Sequence, residues 1–271
     1  MDKKRGIVLS GGGARGAYQI GVLKVLKTHG FLDNIYAVSG ASVGSLNAMM
    51  LALDELEKAE QLWFKIDGEA MFKQEKSLFK RFTENGFEFV YEGVYPNFGL
   101  EKLIEQALDY EKLQKKKVFV ATSYVSEGEA SFWEIISVNV RNLFSKTPFI
   151  RYSSLSDLSE EDVKKTLMAS CAIPIVFQPI MIKDKTYYDG GILDNAPCQP
   201  LYDLGCDELI VIDLFRMRKV KCPSDIELHQ IKPSKNLRGI MDFSKAQIKR
   251  RFELGLHDGE AFVKKYLENH S

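Results

Sequence analysis

Short apolar runs bounded by glycine and serine take turns with longer stretches carrying apolar residues every third or fourth position. The first pair is Gly6–Ser10, which reads as a strand, and Ala14–His29, which reads as a helix with Gly30 as its C-terminal stop. Ile35–Ser39 and Val43–Lys58 repeat the strand and helix pair. Further on, Leu100–Leu108 has helical spacing, Lys117–Val125 and Phe132–Val138 look extended, and Glu160–Ala172 looks helical. Ile175–Ile182, Thr186–Tyr188 and Glu208–Asp213 read as strands before a last helix over Asp242–Glu268. This alternation predicts a three-layer α/β/α fold, with a mostly parallel central sheet and helices on both faces. The least regular stretches are Gly68–Asn97 and Phe215–Gly239, and no repeat or low-complexity tract interrupts the pattern.

At 271 residues and 45% hydrophobic composition the chain can bury a large core, and a single domain over residues 1–271 is expected. Lys plus Arg and Asp plus Glu both number 37, so no overall basic field points to nucleic acid, and any attraction to a membrane must come from local patches. The four cysteines, Cys171, Cys198, Cys206 and Cys222, lack metal-ligand spacing and do not form a disulfide framework, which favours a reducing cytoplasm. The apolar run after Met1-Asp2-Lys3-Lys4-Arg5 is too short for a signal peptide. Asn34–Leu53 carries no charge, but its serines, glycines and Asn47 break up any uniformly apolar face, so it reads as buried strand and helix.

The candidate chemistry sits at the strand ends. Ser10-Gly11-Gly12-Gly13-Ala14-Arg15-Gly16 supplies backbone N–H groups at a helix start. Gly40-Ala41-Ser42-Val43-Gly44 then fits G-x-S-x-G, in which a serine sits exposed on a tight strand-to-helix turn. A held hydroxyl and a cluster of N–H donors are what acyl transfer needs, since a tetrahedral oxyanion must be stabilised while the serine attacks. Gly11, Gly13 and Gly16 also satisfy the dinucleotide fingerprint G-x-G-x-x-G, but the second strand leads into the serine turn, where that site wants an acidic residue.

Tyr188-Asp189-Gly190-Gly191 follows a strand-like stretch, and Ala169-Ser170-Cys171-Ala172-Ile173-Pro174 precedes it. With the two glycine motifs, these segments make the chain, from about Gly6 to about Asp213, resemble the patatin-like phospholipase family. That family carries G-G-G-x-[RK]-G, G-x-S-x-G and D-G-[GA] in this order, often with A-S-x-A-x-P before the last. The remainder, including a helical extension over about 240–268, falls outside the resemblance. The resemblance implies a Ser–Asp dyad of Ser42 and Asp189, an oxyanion hole from the Gly11, Gly12, Gly13 and Ala14 amides, and lipid acyl esters as substrates. Arg15 matches the basic loop position, with a substrate phosphate or a loop-bracing contact as its role. Gly16, Gly40, Gly44, Gly190 and Gly191 support the motifs, and Asn195 and Pro197 continue the last one. No metal or cofactor is required.

A carboxylate is a weak base for a serine hydroxyl, so the dyad requires Asp189 to be partly desolvated and within hydrogen-bond reach of Ser42. A Ser-His-Asp triad is the competing arrangement. Of His29, His229, His257 and His270, only His229 follows Asp189 in an irregular stretch. Two further alternatives are a thioesterase or acyltransferase with the same dyad, and a non-catalytic nucleotide- or lipid-binding protein. The aromatic-rich segment Trp63–Tyr91 and the basic run Lys249-Arg250-Arg251 are compatible with a lid and peripheral membrane contact. The rival reading of that segment is a helical cap packed on the core.

Overall fold

A computed structural model of the chain describes residues 3–66, 98–125, 149–173, 177–220 and 222–270. Its strands are β1 (Arg5–Leu9), β2 (Ala37–Ala41), β3 (Val118–Val125), β4 (Phe149–Ser154), β5 (Ile180–Ile182), β6 (Lys185–Asp189), β7 (Glu208–Ile212) and β8 (Glu227–Ile231). Its helices are α1 (Ala17–Thr28), α2 (Val43–Ala52), α3 (Leu56–Lys65), α4 (Phe98–Ala107), α5 (Tyr110–Leu113), α6 (Glu160–Ser170), α7 (Gln199–Asp203) and α8 (Lys245–His270). All eight strands form one sheet in which β3-β2-β1-β7-β8 are mutually parallel, while β4, β5 and β6 add antiparallel pairings. The expected α/β architecture holds.

Apolar alternation divides the core between the two faces. Ile7, Leu9, Ile210 and Ile212 point into a large cluster with α1, α2, α3 and α8, whereas Val8, Leu209 and Val211 point into a smaller one covered by Leu201 of α7. On the thicker side α8 lies directly on α1. A Cβ on Gly255 would stand 2.1 Å from the Tyr18 carbonyl oxygen, and one on Gly21 2.2 Å from that of Phe252. Only glycine permits that crossing.

The edge of β3 decides where the site forms. β4 pairs with β3 over Phe119–Tyr124, so the other edge is left for both β2 and β6. β2 takes Val118–Ala121 and β6 takes Thr122–Val125, running the opposite way. Ala41 is therefore paired with Ala121, and Asp189 with the next residue, Thr122. Two strands from distant parts of the chain end against each other.

Several boundaries differ from the sequence reading. The helix expected over Val43–Lys58 is two helices, because Asp54 turns to φ 57 and the Glu55 and Asp54 N–H groups close onto the Met50 and Leu51 carbonyls. The α1 helix is preceded by a tight 3₁₀ turn over Gly13–Gly16, and Gly30 ends it at φ 74 as expected. Within the stretch read as irregular, Glu227–Ile231 is the parallel edge strand β8. The extended segment Phe132–Val138 and all but the first residues of Trp63–Tyr91 lie outside the described residues. Among the described residues no helix is long and apolar enough to cross a membrane.

Candidate active site

Ser42 is the single residue between β2 and α2, held at φ 52 and ψ −134, a conformation that side-chain-bearing residues avoid. The flanking glycines make the turn possible. A Cβ on Gly40 would lie 2.3 Å from the Gly44 oxygen, and one on Gly44 2.2 Å from the Leu9 oxygen. The strain is held by hydrogen bonds to two side chains, Ser170 and Ser45. The Ser42 N–H donates to Ser170 Oγ at 2.9 Å, which donates on to the Ala121 carbonyl at 2.8 Å, and the Ser42 carbonyl accepts from the Ser45 hydroxyl at 2.6 Å.

Asp189 ends β6 beside that turn, and a Cβ on Gly190 would stand 2.1 Å from the Ala121 oxygen, so the Asp-Gly-Gly turn is pressed against β3. Its main chain is anchored by its own N–H to the Ala172 carbonyl at 3.0 Å and by Ser123 Oγ donating to its carbonyl at 3.1 Å. Its carboxylate accepts from the Gly191 N–H at 2.7 Å. Burial pushes its pKa up to about 6, and the nearby Ser42 hydroxyl and the Gly191 N–H only partly offset that. The neighbouring Cys171 thiol is raised by burial and then by the Asp189 charge, so it stays neutral.

The glycine loop is narrower as a donor site than expected. The Gly11 N–H donates to the Asn195 carbonyl at 3.1 Å and the Ala14 N–H to the Ile240 carbonyl at 2.7 Å, so neither amide is open. Among the described residues the Gly12 and Gly13 N–H groups have no protein acceptor. Peptide planarity sets their direction, since Asn195 Nδ2 donates to the Gly11 carbonyl at 3.2 Å and the Arg15 N–H to the Gly12 carbonyl at 3.2 Å. Each carbonyl held one way turns the following N–H the other. Arg15 lies over the Phe215 ring at 4.9 Å and donates from Nε to the Arg238 carbonyl at 2.7 Å, which is a bracing position. Gly16 is packed under Trp63.

Sequence reasoning missed a buried polar chain behind this loop. Gln19 donates to the Ser10 carbonyl at 2.8 Å, Asn47 donates to Gln19 Oε1 at 2.8 Å and to the Gly16 carbonyl at 3.1 Å, and Trp63 Nε1 donates to Asn47 Oδ1 at 3.1 Å. Trp63 is thus a buried strut, stacked near Phe243, and not an exposed lid residue. In front of Ser42 opens a cavity lined by apolar side chains of α2, α3 and α4, among them Leu46, Met50, Leu62, Leu103 and Ile104.

Three of the histidines lie elsewhere, and the His270 side chain is outside the described residues. His29 pairs with Glu260 and His257 with Asp258, while His229 sits on β8 between Glu208 and Glu227. β8 is three strand spacings from β2, about 14 Å, and Glu208 begins β7 at the end of the sheet away from Ser42. Glu208, Glu227 and His229 are, among the described residues, the group close enough to share a cation, with ligand atoms within 4.8 Å of one another. Arg5 at 2.6 Å from Glu208 and Lys3 at 2.5 Å from Glu227 already supply the positive charge there.

The sequence matches the patatin-like phospholipase family model over residues 7–202, and the chain belongs to that family. Among curated proteins it is 26% identical over 211 residues to an uncharacterised protein of Acanthamoeba polyphaga mimivirus, covering 77% of this chain and 64% of that one. It is 24% identical to lysophospholipase nte1 of Aspergillus terreus over 77% of this chain but 12% of the relative. To the uncharacterised YqhO of Bacillus subtilis it is 27% identical, over 70% of this chain and 64% of the relative. The chain thus spans less than two thirds of the length of these relatives. Human GIVD cytosolic phospholipase A2 superposes with a TM-score of 0.56 at 11% identity, covering 97% of this chain and 59% of that one. The type III effector ExoU superposes at 0.52 and 12%, covering 98% and 53%.

Proposed function

We propose that the protein is a serine acyl hydrolase of lipid esters, working through a Ser42–Asp189 dyad. The observation that carries the reading is the meeting of Ser42, on a strained turn, with a buried carboxylate whose basicity burial has raised. Asp189 takes the hydroxyl proton as Ser42 Oγ bonds to the ester carbonyl carbon, and the carbonyl oxygen becomes an oxyanion facing the Gly12 and Gly13 N–H groups. Collapse of that intermediate breaks the ester C–O bond, with the Asp189 proton passing to the leaving alcohol. Water, deprotonated by Asp189, then attacks the acyl-serine and releases the fatty acid, and the proton returns to Ser42.

The apolar cavity and the family membership support a fatty acyl chain as the group transferred, with peripheral contact to the lipid surface as its source. Chromogenic esters of graded acyl length and a fluorophosphonate probe test the reading together. Hydrolysis and labelling are expected in the wild type, with kcat/KM rising with chain length until the cavity is filled. Both are expected to vanish in Ser42→Ala. Labelling that persists in that variant assigns the nucleophile to another residue.

A further inference from the structure

Arg251 is fully buried, yet among the described residues no carboxylate comes within ion-pair distance of it. Its guanidinium donates instead to four main-chain carbonyls. Nε reaches Leu237 at 2.9 Å, Nη2 reaches Gly239 at 2.8 Å, and Nη1 reaches both Asp242 at 2.6 Å and Ala14 at 3.0 Å. A buried unpaired cation is costly, and only a closed ring of acceptors makes it tolerable. Three of those acceptors shape the loop over residues 237–242, and the fourth belongs to the glycine loop.

That fourth contact reaches the site. The Ala14 carbonyl is held by Arg251, while the Ala14 N–H is held by the Ile240 carbonyl of the loop that Arg251 organises. The two peptide planes on either side of Ala14 are therefore fixed, just after the peptides that carry the Gly12 and Gly13 N–H groups. Gly13, at φ 55, has no side chain to limit its backbone, and a Cβ there would strike the Ile240 oxygen at 2.3 Å. The far side is fixed by Asn195.

We propose that Arg251 is the positioning residue of the oxyanion loop, so that a helix outside the family-matched stretch completes the catalytic site. The proposal rests on the acyl hydrolase reading and extends it. It accounts for a basic residue of the run Lys249-Arg250-Arg251, which the sequence alone makes compatible with peripheral membrane contact. Lysine cannot replace it, because one ammonium offers three N–H donors from a single point, whereas the planar fork meets four carbonyls in different directions.

The test uses the full chain with Arg251→Lys, which keeps the charge, and Arg251→Met, which removes it. Deuterium exchange is followed over residues 11–16 and 237–242, with β1 and β7 peptides as internal references, alongside kcat, KM and the fluorophosphonate phosphonylation rate. Both folded variants are expected to exchange faster in these two loops and not in the reference peptides. Their kcat and phosphonylation rate should fall about 10- to 100-fold, with KM changed less than about threefold, since an oxyanion donor acts in the transition state. Wild-type loop exchange and kcat in a folded variant overturn the proposal, as does a loss carried by KM. A failure of both variants to fold overturns it too, by making Arg251 a keystone of the whole structure. If the wild type is neither labelled nor active, the acyl hydrolase reading falls, and loop exchange alone decides the clamp.

Discussion

Asp189 and Glu208 are carboxylates buried to nearly the same extent, 5% and 0% exposed, at opposite ends of one sheet. For both, burial raises the pKa. At Glu208 it is outweighed by hydrogen bonds from His229, Arg5 and Tyr266, which hold the group down at about 2. At Asp189 the opposition comes only from the nearby Ser42 hydroxyl and one amide, and the pKa stays up at about 6. The neighbours separate the two roles, because a carboxylate matched to a cation is a poor proton acceptor while one facing a hydroxyl in a dry site is a usable base. One end of the sheet is built to hold, and the other, in the proposed function, to react.

The largest effect that can break this contrast is expected at Asp189. Asp189→Asn should lower kcat by about 10³-fold or more, because the base is lost while the geometry remains. The same change should stabilise the protein at neutral pH. A native pKa raised from about 4 to about 6 means that the folded state holds its proton longer than the unfolded one, so ionised Asp189 costs about 3 kcal/mol above pH 6. The melting-temperature gain of the variant over wild type should therefore appear between pH 4 and 6 and vanish below. Wild-type kcat/KM should fall about tenfold per pH unit below 6 and level off above 7. A rate that stays flat to pH 4 would show that Asp189 is not the base.

Glu208→Gln should do the reverse. Arg5 loses its charged partner, and denaturant unfolding should register a loss of about 3 kcal/mol, with activity of the folded protein within a few-fold of wild type. Because the native pKa of Glu208 is depressed, its stabilising contribution is complete above about pH 4.5 and is lost as pH falls toward 2, so the variant should be the less acid-sensitive chain in that window. His229→Ala should cost less stability and likewise leave hydrolysis within a few-fold, and an enzyme as inactive as Ser42→Ala would restore the triad. The smallest effect is expected at the serine turn. Ser42→Gly should be about 1 kcal/mol more stable than Ser42→Ala, since glycine accepts φ 52 without strain.

The parts of the site readable from the sequence are those whose chemistry is local. Gly40, Gly44 and Gly190 announce close backbone approach, and the structure puts a main-chain oxygen within 2.3 Å of each missing Cβ. What escaped detection depends on distant partners. β8 has the sequence Glu-Leu-His-Gln-Ile, too polar to look like a strand, and is stabilised by ion pairs and by β7. The break at Asp54 has no glycine or proline to mark it. The commitment of the Gly11 and Ala14 amides depends on the carbonyls of Asn195 and Ile240, far along the chain, and no motif spacing encodes those pairings. Arg251 reads with Lys249 and Arg250 as compatible with membrane contact, because its acceptors are backbone atoms that leave no mark in the sequence.

The place of β7 bears on how the chain can be shortened. The family-model match ends at residue 202, but the strand that pairs along the whole of β1 runs from Glu208 to Ile212. A fragment trimmed to the similar stretch would leave Ile7, Val8 and Leu9 on an open sheet edge with unpaired amides and carbonyls, the kind of surface on which copies stack into insoluble aggregates. Expression boundaries drawn from similarity alone would thus yield inclusion bodies, whereas those drawn after α8 keep the edge covered.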